Sequence, residues 1–301
     1  MGRLRQISSG YPELVVVLLA AAIGLTIQAP LAWLTSHQFI NLLLVVLVFS
    51  TAITIEPSAL RRIPSSWRPI VVVLGAGATI LPALSWAASR MVAAGSLREG
   101  VVTIGLAPCE IASVATTAMA KGEAALSAGV LIGSTIVTVL IAGPILSIEA
   151  GGTSVHPGHI IVDLALVVAL PLAVGLFIGA ARHPSARVQR GALLTATGAV
   201  AALVALIAAE VHFSIGYIAL AAALSVFLVG SATLGWLIGR PSRSSIASAI
   251  LLTTSMRDFA IAAGLATAAF GAAAAAPLGL YGILVLVWGT AAAGRLRRQE
   301  G

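Results

Sequence analysis

Apolar residues dominate the chain in long runs, and short polar stretches punctuate them at intervals of about one membrane thickness. A span of roughly 17 to 25 apolar residues crosses about 30 Å of hydrocarbon as a helix. Runs of that kind occupy residues 11 to 28, 39 to 55, 69 to 90, 99 to 120, 124 to 147, 159 to 181, 191 to 209, 214 to 238, 245 to 269 and 272 to 294. The pattern predicts an all-α polytopic membrane protein of about ten transmembrane helices. The first run, PELVVVLLAAAIGLTIQA, is followed by nine others of similar length, so it is expected to remain as a helix instead of being removed as a signal peptide. The longest polar connection, IEPSALRRIPSSWRP, is too short to fold alone, so residues 1–301 are expected to form a single transmembrane domain.

Two of these runs carry a polar centre. The fourth contains IGLAPCEIAS, in which Pro108 removes a helical donor and Gly105 loosens the preceding turn. The ninth contains LLTTSMRDFAIAAG, which buries the adjacent pair Arg257 and Asp258. They lie five runs apart, so the halves, approximately 11–148 and 158–294, read as inverted five-helix repeats with broken helices four and nine crossing in a core. Inverted repeats with interrupted helices are typical of secondary transporters, whose substrate sites lie at the breaks near the midplane. The hydroxyls of Thr253, Thr254 and Ser255 are expected to satisfy backbone groups freed by unwinding in the ninth run.

Composition sharpens the picture. The chain of 301 residues is 59% hydrophobic and 9% charged, with a mean hydropathy of +1.07, well outside the range of water-soluble domains. Fourteen of its 17 Lys and Arg residues fall in alternate connections: Arg3, Arg5, Arg61, Arg62, Arg68, Lys121, Arg182, Arg187, Arg190, Arg240, Arg243, Arg295, Arg297 and Arg298. By the positive-inside rule those ends, and both termini, are cytoplasmic in a multi-pass protein of the inner (plasma) membrane. Only Arg90 and Arg98 lie on the opposite side, and Arg257 lies within a run. The net charge of +7 therefore reports topology. It forms no basic face for nucleic acid.

No nucleophile elbow, phosphate-cradling glycine loop or metalloprotease helix is present, so the chain does not read as an enzyme. His37, His156, His159, His183 and His212 fall in or beside loops and form no metal-ligand cluster, and no cofactor is implied. Asn41 and Asp163 are expected at membrane interfaces. The single cysteine, Cys109, has no disulfide partner.

The segments GLAPCEIASVATTAMAKGEAALSAGVLIGST and TTSMRDFAIAAGLATAAFG, with the connection ITIEPSALRR after the second run, resemble the bile acid:sodium symporter family, within the superfamily that also holds arsenite and riboflavin transporters. The resemblance implies a ten-helix fold with a panel and a core, and a small organic anion, in this reading a carboxylate, carried by sodium symport. It places Pro108, Cys109, Glu110, Ser113, Thr116, Thr253, Thr254, Ser255, Arg257 and Asp258 around the substrate. Of the ligands that sodium-coupled relatives use at a first ion site, Ser113 and Ser127 are present, whereas Val114, Leu131 and Thr253 stand at the other positions. At the second site the chain offers Thr253, Gly77 and Arg257. Sodium needs several oxygen ligands and repels a guanidinium.

Arg257 is therefore expected to act as a tethered cation in place of a second sodium ion. Burying it costs roughly 2.5 to 3.5 kcal/mol, which calls for a partner, and pseudo-symmetry nominates Glu110. Coupling is expected to use H⁺, through Glu110 or Asp258, in preference to Na⁺, with Ser113 and Ser127 completing the cation-coupling set. Duller readings stand beside these: Arg257, Glu110 and Asp258 as an ion-pair network locking two helices, the buried hydroxyls, including Thr117, Ser134 and Thr135, as packing glue, and Cys109 as a small apolar filler. An alternative cargo is arsenite or antimonite, exported with Cys109 as thiolate ligand. The expected partners are an organic anion and the lipid bilayer. Oligomeric state cannot be read from the sequence.

Overall fold

In a computed structural model, the structure describes residues 12–36, 39–149, 156–182, 184–211 and 215–299. Arg3, Arg5, His37, His183 and His212 lie outside the described residues. Fifteen α-helices are formed among those described, in chain order: α1 (Pro12–Thr26), α2 (Gln28–Ser36), α3 (Phe39–Ile53), α4 (Pro57–Arg62), α5 (Trp67–Ser89), α6 (Ser96–Leu106), α7 (Ser113–Met119), α8 (Ala124–Glu149), α9 (Pro157–Leu164), α10 (Leu170–Arg182), α11 (Ala186–Ala209), α12 (Gly216–Gly239), α13 (Ser244–Ser255), α14 (Phe259–Phe270) and α15 (Ala276–Gln299). Every apolar run of the sequence contributes helix among the described residues, and six helical segments are long and apolar enough to cross a membrane. This is the architecture of a polytopic membrane protein.

Local chemistry sets most of the boundaries. Pro57 and Pro157 stand in the first turns of α4 and α9, where a missing N–H costs nothing. A π-helical turn at Ala165–Ala169 joins α9 to α10. Two boundaries differ from expectation. Helical backbone continues past residue 28 as α2, because Pro30 falls in the first turn of a new helix, and the Gln28 side chain donates to the Val211 carbonyl at 3.0 Å. The polar connection after α3 is itself helical, as α4 and a 3₁₀ turn at Ile63–Ser66.

The helices pack in two groups. In one, α11 lies against α1 and α3, and α3 also packs on α10. In the other, α5 packs on α6, α8 and α12, while α13 packs on α12 and α7, and α15 on α14 and α7. Gly105 permits the closest of these approaches, since a Cβ there would overlap the Ser85 hydroxyl and the Leu81 carbonyl of α5.

The fourth and ninth runs are each split. Ala107 is extended (φ −64°, ψ 153°), as a residue before proline prefers, so α6 stops at Leu106. The chain re-enters a helix only at Ser113, as α7. In the ninth run Met256 is extended (φ −91°, ψ 105°), and α14 begins after Asp258. The two interruptions meet. The Glu110 N–H donates to the Met256 carbonyl at 2.8 Å and the Asp258 N–H donates to the Pro108 carbonyl at 3.0 Å, making a two-residue antiparallel bridge in which Cys109 faces Arg257.

Three other groups at the breaks are met from the side. The Ser134 hydroxyl accepts from the Cys109 N–H at 3.1 Å, Thr138 donates to the Leu106 carbonyl at 2.8 Å, and the Arg257 guanidinium donates to the Ala107 carbonyl. The expectation that Thr253, Thr254 and Ser255 would do this is corrected. Thr253 donates to the Ala249 carbonyl and Ser255 to the Leu251 carbonyl, both one turn back within α13, and the Thr254 hydroxyl has no partner. Hydroxyls on a helix reach the preceding turn more readily than the unwound segment beyond it.

Ser134→Ala strands the Cys109 amide and should lower stability by about 1–3 kcal/mol. Ser147→Ala, which removes an exposed hydroxyl bonded only to the Pro144 carbonyl, should change it by less than about 0.5 kcal/mol. Thermal unfolding of the two purified variants in detergent checks the difference, and equal midpoints would refute the role given to Ser134.

Candidate functional site

An extended segment sends successive side chains to opposite sides. At the crossing this rule divides the polar residues into two sets. Cys109 and Arg257, opposite one another in the bridge, share one side. Glu110 and Asp258 share the other, and Asp258 is the charged group that bears on Glu110.

On the first side everything is closed. Arg257 is 4% exposed, and its guanidinium bonds the Ala107 carbonyl and lies beside Gly77 of α5. Around it stand Leu74, Ser134 and Thr138, leaving a cleft of only ≈ 10 Å³. Cys109 is fully buried, with the Ser113 hydroxyl 3.8 Å from its Sγ. The Tyr281 hydroxyl of α15 is buried there, beside the backbone and the charge of Arg257.

The expected pairing of Arg257 with Glu110 is not formed. The guanidinium takes a backbone carbonyl and Glu110 Oε2 has no partner, because the two side chains leave adjacent strand positions toward opposite sides. For the same reason no network joins Arg257, Glu110 and Asp258 by ion pairs. Arg257 is turned away from open space, and the first turn of α14 is already capped by Asp258, whose Oδ1 accepts from the Ile261 N–H at 2.8 Å.

The second side opens onto a cavity of ≈ 380 Å³ between the two helix groups, within the range of small-molecule sites. Glu110 stands at its inner end, 6% exposed, with Ile111, Ala112, Val114, Ala115 and Phe259 around it. The amides of Ala112, Phe259 and Ile111 also act on its carboxylate. Across from them α1, α3 and α11 contribute Val17, Leu47, Thr51, Leu193, Thr197 and Val200, and Glu56 lies at the rim. Of the residues expected around a substrate, Glu110 alone lines this cavity. Pro108, Cys109, Ser113, Thr253, Thr254, Ser255, Arg257 and Asp258 are buried behind it, and Thr116 bonds back to the Ala112 carbonyl.

Ser113 and Ser127, expected to help hold a coupling cation, are both fully buried. Ser127 accepts from Thr117 at 3.3 Å, Ser113 lies against Cys109, and neither hydroxyl bonds the Glu110 or Asp258 carboxylate. Val114 is on the cavity wall and Leu131 is in the apolar core. Among the described residues no group of three or more His, Cys, Asp and Glu side chains gathers.

The walls contributed by α1, α3 and α11 escaped sequence reasoning. An apolar residue facing a cavity looks the same in sequence as one facing lipid. The threonines gave no better signal, since Thr51 and Thr54 bond back to Leu47 and Thr51 as helix-packing hydroxyls do.

Comparison with known proteins agrees with this architecture. The profile of the sodium bile acid symporter family matches residues 41–223, well over half of the chain, from α3 into α12 and across the first break. The uncharacterized sodium-dependent transporter YocS of Bacillus subtilis (strain 168) is 24% identical over 290 residues, an alignment covering 89% of this chain and 85% of that protein. This chain belongs to the sodium bile acid symporter family.

Proposed function

We propose that the protein is a secondary active transporter, without enzymatic activity, that moves a small amphipathic organic solute through the cavity between the two helix groups by alternating access. The observation that carries this reading is the crossing of two interrupted helices at the inner end of a cavity of ≈ 380 Å³. Interrupted helices place polar backbone and a carboxylate at membrane depth, and they occur where a substrate must be held and released. Ten spans in two inverted repeats, 11–148 and 158–294, suit the positions of the two breaks.

Charge asymmetry supports an orientation. Glu56 and Ala59 at the cavity rim adjoin Arg61 and Arg62, and Ala118 and Ala124 flank Lys121. By the positive-inside rule that rim faces the cytoplasm, so the conformation described is inward-open in a plasma-membrane protein.

Coupling follows from the two sides of the crossing. The guanidinium of Arg257, seated against the Ala107 carbonyl and Gly77, supplies a permanent positive charge where relatives are expected to bind a second sodium ion. Of the two carboxylates considered for proton coupling, Glu110 reaches the cavity and Asp258 is committed to capping α14. Proton coupling at Glu110 is therefore the preferred reading, although the Bacillus relative is named for sodium dependence. No observation favours arsenite or antimonite as cargo, since Cys109 is sealed behind the bridge.

Two outcomes are expected in proteoliposomes, with 4-phenylbutyltrimethylammonium and 4-phenylbutanesulfonate as labelled probes of fixed opposite charge. Ala115→Trp, which fills the cavity from an exposed position of its wall, should reduce uptake of any carried probe by at least about tenfold. Ala222→Trp on the exposed face of α12 should leave uptake unchanged, and equal rates in both variants would exclude this cavity as the path. Exchanging sodium for potassium should alter uptake by less than about twofold, while a protonophore should alter it by more than about threefold in the wild type and not in Glu110→Gln. Strong sodium dependence would refute the coupling assigned here.

A further inference from the structure

The charges around the cavity suit a cargo other than the organic anion implied by the resemblance. Among the described residues lining it there is no Arg, Lys or His, and the charged groups are two carboxylates, Glu56 at the rim and Glu110 at the inner end. The nearest basic group in the core, Arg257, leaves the crossing on the opposite side and is held by the Ala107 carbonyl. Inside this cavity an anion would meet only carboxylates among the charged lining side chains, without a cationic one to replace its lost hydration.

Glu110 is built as a receptor for positive charge. It is more than nine-tenths buried, lines the cavity, and leaves Oε2 without a hydrogen-bond partner. Asp258 beside it cannot answer that need, since it too carries an unpartnered oxygen, Oδ2. The rest of the wall is apolar, with Leu47, Val114, Leu193, Phe259 and Leu286 enclosing the space next to the carboxylate. A buried carboxylate at the end of an apolar chamber is complementary to a molecule with an apolar body and a single cationic head.

We propose that the cavity binds amphipathic organic cations of the substituted-ammonium class, with the head group against Glu110 and the apolar body against α3, α11 and Phe259. The assignment rests on the reading of this cavity as the transport site and names its cargo. Glu110 gives charge selection.

The test uses the purified full chain in a neutral detergent, with 4-phenylbutyltrimethylammonium, 4-phenylbutanesulfonate and 4-phenylbutanol as probes that share one apolar body. Isothermal titration calorimetry should give the ammonium probe at least about tenfold tighter binding than the sulfonate, with the alcohol between them. Glu110→Gln should reduce that preference to less than about threefold, and Glu110→Asp, which keeps the charge, should retain it. Should Glu110→Gln fail to fold, retention in Glu110→Asp and loss on adding bulk with Ala115→Trp still decide the matter. Tighter binding of the sulfonate, equal binding of all three probes, binding of none, or a preference that survives Glu110→Gln would each overturn the cation assignment. Sulfonate binding that Ala115→Trp abolishes would do so while leaving the transport reading standing. Binding indifferent to Ala115→Trp would instead remove the cavity itself from the transport path.

Discussion

Two unwound segments at membrane depth can exist only if their backbone groups find partners, because hydrocarbon supplies none and each orphan costs several kcal/mol. Here the segments satisfy each other. The exchange of N–H donors between Glu110 and Met256, and between Asp258 and Pro108, is the smallest possible antiparallel bridge. Ser134, Thr138 and Arg257 complete it from the flanks. The remainder of the core is arranged to hold this contact. Its close-packed helices bring α5 and α8 up to the crossing, and the Trp288 indole donates to the Ser255 hydroxyl at the end of α13.

The bridge also decides which chemistry faces which space. Alternation along an extended strand separates neighbours in sequence more completely than a helix would. Arg257 and Asp258, adjacent in the chain, leave on opposite sides, as do Cys109 and Glu110. The buried cation is thereby spent inside the fold, stabilising the carbonyl that precedes Pro108, while a carboxylate is left facing the cavity. A chain can belong to a family named for an anionic cargo and still present an acidic cavity, because the fold specifies where a solute sits and individual side chains specify its charge.

The balance between rigidity and movement follows the same division. The side holding Arg257 and Cys109 is tightly packed, with a cleft of only ≈ 10 Å³. The other side is an interface between two helix groups that already encloses a cavity of ≈ 380 Å³. The alternating access proposed above would use an interface of the second kind.

By itself the sequence determined the helical, membrane-spanning class, the positions of the apolar segments and the two places where helices fail. Those features depend on local causes: run length against bilayer thickness, Pro108 acting on Ala107, and a cluster of polar residues in an otherwise apolar run. Only the tertiary structure decided that the freed backbone groups satisfy one another, that Arg257 bonds a carbonyl and leaves Glu110 unpaired, and that α1, α3 and α11 supply a cavity wall. Those outcomes depend on contacts between residues about 150 positions apart, as for Ala107 and Arg257. They depend also on side-chain direction in unwound backbone, which helical periodicity does not describe. In a chain that is apolar almost everywhere, hydrophobicity marks what is in the membrane but not which face meets lipid, a neighbour or a solute.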